Sequence, residues 1–296
     1  MCVFNNVNYV KMSQLLLESL CIYGNLDADT DILIYTSTPF MKMIQDWFGE
    51  KHRSVDNVRF ELNDTYDTIE KACKARLDLF QLPSVDSYHK ILYVDTDVLV
   101  EAYTSFPASS PKGTGLRPSP LWSKGDINRV FDVITREDAK STCLRQVDFG
   151  RNAGEPTKEG RRSFVLYVVK EGNISDRADY WGCSLFGHFV TDTAAFSSGI
   201  MLFNHCDTIK HLFHTIRADM TNRPRQFACH DQPYIVYNAF KLNVFDNTTL
   251  TSLAVNNDHN IHSDKVIHHF PGGPGIYEHK MISMTRFLDG LKYKNS

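Results

Sequence analysis

Ile91-Leu92-Tyr93-Val94-Asp95-Thr96-Asp97-Val98-Leu99 is the stretch that decides the fold. Its first four residues form a short continuous apolar run, the pattern of a strand covered on both faces. Asp95 and Asp97 stand two apart at the carboxyl end of that strand, and a period of two turns both carboxylates to one face. Open α/β sheets receive their ligands outside the carboxyl ends of the strands. Carboxylates held side by side repel each other, and a cation between them relieves the cost. A hard divalent ion such as Mn²⁺ or Mg²⁺ suits oxygen ligands and leaves positions open for phosphate oxygens. The plainer alternative is a solvated turn, because D-x-D is a common pattern by chance.

Working outward, strands alternate with helices. Apolar periodicity predicts a helix over 10–23, a strand over 32–35 and, after Thr38-Pro39, a helix to Phe48. A strand over 58–62 and a helix over 69–79, opened by Asp67 and Glu70 at capping-box spacing, precede the aspartates. This rhythm indicates βαβ units: an α/β chain with a mainly parallel central sheet flanked by helices. After residue 100 the rhythm breaks into a stretch rich in Pro, Gly, Ser and Arg. It reads as a long insertion or lid over 101–190 within a single domain spanning 1–296. Strands over 164–169, 196–203 and 266–270, with helices over 208–217, 232–240 and 279–292, complete the reading.

Composition narrows the function. The 296 residues are 42% hydrophobic with net charge −3, too apolar for disorder and without the basic field of a nucleic-acid binder. The longest apolar run, Phe164–Val169, is far too short for a membrane span. Asn5, Asn6 and Asn8 interrupt any signal-type apolar core, and seven cysteines without a C-x-x-C pair favour free thiols. A cytoplasmic protein is the expectation.

Four further segments accumulate in order: Arg76-Leu77-Asp78-Leu79-Phe80, Phe196-Ser197-Ser198-Gly199-Ile200, His230-Asp231-Gln232-Pro233 and His268-His269-Phe270-Pro271-Gly272-Gly273. With the D-x-D strand, they resemble the retaining glycosyltransferases of the glycogenin-like family 8. The resemblance covers most of the chain outside 101–190. It implies the Rossmann-like GT-A fold, a nucleotide-sugar donor (a UDP-hexose) and Mn²⁺ or Mg²⁺. It further implies metal ligation by Asp95, Asp97 and His269. The donor would be held by Asn5, Asn6, Tyr9, Arg76, Asp95, Thr96, Ser197, Ser198, Gly272 and Lys280. Asp231, Gln232 and Arg76 would serve the transfer itself. Relatives often carry Lys in the turn after the histidine; Gly275 stands there instead, so Lys280 is the substitute expected to grip the diphosphate.

Each residue also has a plainer reading. Arg76 could be a surface helix arginine, Asp231 a helix cap before Pro233, and His269 a structural histidine. If 266–270 is a strand, His268 and His269 face opposite sides, and the resemblance selects His269 as the ligand. Trp122 and Trp181 could stack on an acceptor sugar, with Trp181 equally a core residue. Arg136, Lys140, Arg145, Arg151, Lys158, Arg161 and Arg162 tint the insertion basic. The acceptor itself, whether glycan, protein or small molecule, is left open, as is the oligomeric state.

Two other classes compete. A strand ending in D-x-D also resembles the nucleophile motif of haloacid-dehalogenase-type phosphatases, though Gly125-Asp126 lacks the second metal aspartate that motif requires. A non-catalytic sugar-nucleotide-binding protein would keep the fold without turnover.

Overall fold

The computed structural model describes residues 1–51, 57–101, 127–132, 166–187, 193–256, 265–272 and 276–294. Three ladders carry the architecture. Strands β1 (Cys2–Val3), β2 (Ile32–Thr36) and β3 (Val58–Leu62) pair in parallel. Between them run α1 (Val7–Tyr23) and α2 (Thr38–Glu50), as the βαβ reading requires. Asn6 caps α1 by accepting from Asn8 N at 2.9 Å. The cap position of α2 is Ser37 rather than Thr38, whose hydroxyl and amide turn instead to Asp64.

The expected helix over 69–79 is broken. A single turn, α3 (Ile69–Ala72), is capped by Thr68 rather than by the Asp67/Glu70 pair. The chain then tightens into a 3₁₀ helix over Ala75–Gln81, which carries Arg76.

The second ladder runs β4 (Lys90–Val94), β7 (Ala194–Asn204), β6 (Leu166–Asn173) and β8 (Phe245–Asp246). Here the sheet departs from a mainly parallel reading. Both β4–β7 and β6–β7 are antiparallel, so the whole is mixed. Antiparallel pairing leaves each strand's periodicity unchanged, and the direction of a partner, whether β6 nearby or β4 more than 100 residues earlier, is not written in local pattern. Strand β6 lies inside the range read as an insertion but is a member of this ladder. Trp122, the basic residues from Arg136 to Arg162, Gly125-Asp126 and Gly275 lie outside the described residues.

The third ladder is β5 (Val98–Val100), β10 (Ile267–His269) and β9 (Ala254–Asn256). Short helices α4 (Asn128–Asp132) and α5 (Cys183–Phe186) precede three longer ones. These are α6 (Asp207–Asn222), α7 (Gln232–Leu242) and α8 (Tyr277–Lys294). Buried Phe196, Met201 and Phe203 of β7 pack with Leu212, Phe213, Tyr234 and Val236 of α6 and α7. The opposite face joins Leu16, Leu17, Ile34, Val98, Ile200 and Ile267. Helix α8 closes a third cluster with Met284, Phe287 and Leu291 against Met12 and Leu99. Among the described residues no helix is long and apolar enough to cross a membrane.

Candidate active site

Two ladders meet at the D-x-D turn, and that junction builds the site. Asp95 N donates to Gly199 O at 2.8 Å, extending the β4–β7 pairing by one rung. Two residues later, Phe270 N donates to Asp97 O at 2.8 Å, extending β5–β10. The turn is therefore held by the Ser-Ser-Gly strand on one side and the His-His strand on the other. One ligand atom from each of Asp95, Asp97 and His269 lies within 4.8 Å of the other two.

The cleft around them has a volume of about 200 Å³. Tyr9, Arg76, Asp95, Thr96, Asp97, Ser197, Ser198, Asp231, Gln232, His269, Gly272 and Lys280 all line it. A larger cavity of about 460 Å³, lined chiefly by aliphatic and aromatic side chains of α1, β2 and β4, holds none of the candidate catalytic, donor-binding or metal-binding residues. The candidate residues gather in the smaller cleft.

Arg76 is the electrostatic hinge. Its Nε sits 2.8 Å from Asp231 Oδ2 and its Nη1 3.5 Å from Asp95 Oδ1, while Nη1 donates to Ser198 O at 2.8 Å. The guanidinium also lies 5.0 Å from the Tyr93 ring centroid, and Tyr93 OH donates to Asp95 Oδ1 at 2.7 Å. Burial works against the Arg76 charge, but Asp231 and Asp95 outweigh it and raise the pKa. This is no surface arginine. The 3₁₀ turn delivers it into the cleft.

Asp231 occupies the cap position of α7, yet its side chain makes no capping bond. It turns to Arg76 instead. Burial pushes its carboxyl up to about 6, with the Arg76 charge opposing any further rise. Gln232 accepts from Ser198 N at 3.1 Å and Ser198 Oγ at 3.2 Å. Its buried Nε2 finds no partner among the described residues, which leaves a donor free for a ligand oxygen.

At the metal-type cluster, His269 Nε2 is 3.3 Å from Asp97 Oδ1, and Lys280 Nζ donates to Asp97 Oδ2 at 2.5 Å. Burial would raise the Asp97 pKa, but His269 and Lys280 together hold it well below the usual carboxylate range. The His269 imidazole is conversely raised: burial lowers it, and Asp97 more than compensates. Two carboxylates and an imidazole are a fitting donor set for a divalent metal ion. Gly199 is required here, since an added Cβ would overlap the His269 ring and stand 2.7 Å from Nε2. Gly272 (φ +155°) likewise leaves room for Ile276 and the Lys280 stem.

The two histidines face opposite ways. His268 is fully buried, with Nε2 3.0 Å from Glu101 Oε2 and its ring 4.5 Å from that of Phe287. Trp181 is 2% exposed and packs in the core, so its plainer reading is the structural one. Asn5 and Asn6 do not line the cleft. Asn5 is exposed in a left-handed turn (φ 68°), and the Asn6 side chain is engaged in capping α1. Tyr9 does line it, with its hydroxyl 3.4 Å from that of Tyr277.

Sequence reasoning missed Glu171, Tyr277 and Asn256. Glu171 lines the cleft from β6, and burial raises its pKa. Asn256 touches His269 from β9. A lone Asn or Glu in a strand carries no motif, so only tertiary pairing could find them.

No family model and no curated protein matches this sequence. Solved structures do match. Mouse xyloside xylosyltransferase 1 in its apo form superposes with a TM-score of 0.54 at 11% identity, over 91% of this chain and 96% of that one. The galactosyltransferase LgtC, solved with donor and acceptor sugar analogues, superposes with a TM-score of 0.51 at 13% identity, over 98% and 94%. The chain has the GT-A fold of these glycosyltransferases.

Proposed function

We propose that this protein is a metal-dependent, retaining glycosyltransferase that moves a hexose from a nucleotide sugar, a UDP-hexose, to an acceptor. One observation carries the reading: on a glycosyltransferase fold, Asp95, Asp97 and His269 converge in the same cleft as Arg76, Asp231 and Lys280. A phosphatase would not require that set, and a pure binding protein would not need a buried carboxylate held at a raised pKa.

The divalent ion, when bound by Asp95, Asp97 and His269, supplies Lewis-acid neutralisation of charge on the leaving diphosphate. The chain's own residues do the rest. Arg76 and Lys280 add fixed positive charge where the diphosphate leaves, worth more as its charge grows than before. Gln232 and the Ser197–Ser198 hydroxyls would bind sugar hydroxyls. Asp231 would stand nearest the anomeric carbon and stabilise its developing positive charge. Tyr9 and Tyr277 would wall the base.

A thermal-shift panel of UDP-, GDP-, ADP- and CMP-sugars, with and without Mn²⁺, tests the donor. A ligand that binds only the native state raises the melting temperature according to its concentration over Kd. A shift with UDP-sugars only when Mn²⁺ is present is the expected result; no shift with any UDP compound rejects the donor.

The histidines give a sharper check. His269→Ala should weaken Mn²⁺ binding by well over ~10-fold with little loss of fold, because Lys280 still balances Asp97. His268→Ala should bind Mn²⁺ as the parent does and lose roughly 1–3 kcal/mol of stability through the cavity beside Glu101 and Phe287. Calorimetric Mn²⁺ titration of both variants decides it. Loss of metal by the His268 variant alone would reverse the assignment.

A further inference from the structure

We propose that Asn256 is a positioning residue that sets which nitrogen of His269 is offered to the metal. The inference deepens the metal reading above and rests on it. Strands β9 and β10 run parallel with Asn256 paired directly to His269. From that rung the Asn256 side chain reaches the imidazole, with Oδ1 2.6 Å from Nδ1. An amide oxygen only accepts, so Nδ1 carries the proton and donates it. Nε2 is then the atom turned to Asp97 Oδ1 at 3.3 Å and to the cluster with Asp95. Across the ring, the missing side chain of Gly199 admits the imidazole at a distance no Cβ would allow. The ring is thus boxed on one flank by a glycine, with Asn256 Oδ1 the acceptor at Nδ1 and Asp97 Oδ1 facing Nε2.

The Asn256 amide gains little for itself. Its Nδ2 is buried and finds no hydrogen-bond partner among the described residues. A group that leaves a donor unsatisfied while its oxygen holds a ligand imidazole is placed for the imidazole. Outer partners of this kind fix the tautomer and orientation of metal-binding histidines, and their loss costs roughly 10–100-fold in metal affinity. The reversed amide would present Nδ2 to Nδ1, force the proton onto Nε2 and block ligation there.

The test uses the full chain with Mn²⁺ alone, and free ion is counted by paramagnetic resonance. Asn256→Leu keeps the volume without the acceptor and should weaken Mn²⁺ binding roughly 10–100-fold. Asn256→Asp retains an acceptor and should restore binding to within a few-fold of the parent. Independently of metal, long-range ¹H–¹⁵N spectra at alkaline pH should show the His269 proton on Nδ1 in the parent and the Asp variant. In the Leu variant it should move largely to Nε2. Unchanged Mn²⁺ affinity in the Leu variant, or a parent proton on Nε2, overturns the role of Asn256. A parent that binds no Mn²⁺ but shows the Nδ1 proton and its loss in the Leu variant overturns the metal reading instead and leaves the tautomer control standing.

Discussion

Asp97→Asn should lower turnover of the donor by roughly 100- to 1,000-fold, the scale on which single preorganised electrostatic groups act. Both oxygens of Asp97 are committed: Oδ1 faces His269 Nε2, and Oδ2 accepts from Lys280. The backbone is held separately through Phe270 N, so the isosteric amide keeps the turn and removes only the charge. Mn²⁺ then loses an anionic ligand, and saturating metal should recover activity only in part. The variant should also melt lower, because Lys280 is 8% exposed and loses its closest opposing charge. Breaking a buried pair from one side costs up to about 3–5 kcal/mol. Turnover measured across a Mn²⁺ series, beside a melting curve, separates the two effects. Near-normal turnover at low Mn²⁺ would exclude the ligand set.

Asp231→Asn should reverse that balance between activity and stability. Activity should fall at least roughly 100-fold, since the carboxylate proposed beside the anomeric carbon is gone. Stability at neutral pH should hold or rise. Burial lifts the Asp231 pKa from 3.8 to about 6, so keeping it ionised in the folded state costs about 3 kcal/mol at pH 7. The direction follows from proton binding. Between those two pKa values the native state holds more protons than the unfolded one, so this group's contribution to stability improves as pH falls through 6. About half the cost is relieved by pH 5. Arg76 loses one partner in the variant but keeps Asp95 and the Ser198 carbonyl. Melting curves at pH 7.5 and 5 check this: the advantage of the variant should shrink at the lower pH. An equal and large loss of stability at both would mean that Asp231 serves mainly to hold Arg76.

Much of this site was legible from residue patterns. The D-x-D strand, the Ser-Ser-Gly strand, the Asp-Gln helix start and the second histidine converge in the cleft. Hydrophobic patterning located six of the ten strands among the described residues, β2, β3, β4, β6, β7 and β10, with β3 matched at 58–62, and assigned no strand at β1, β5, β8 or β9. What stayed hidden is non-local. The antiparallel run of β7 between β4 and β6 depends on pairing with β4, more than 100 residues earlier in the chain, as well as with the nearer β6. The break after Ala72 that swings Arg76 inward follows no proline or glycine. Asn5 and Asn6 stand outside the lining of the cleft, and their local duties there are a left-handed turn and a helix cap.

Slow hydrolysis of nucleotide sugars tests the central claim most directly, because water can replace an unknown acceptor. Purified protein is incubated with UDP-hexoses, with and without Mn²⁺, while released nucleotide, inorganic phosphate and the anomer of the freed sugar are followed by NMR. UDP release that requires Mn²⁺, is lost in Asp97→Asn and first yields the sugar with the donor's anomeric configuration is the expected result. Inorganic phosphate from simple monoesters, or no turnover of any UDP-hexose at saturating Mn²⁺, would contradict it.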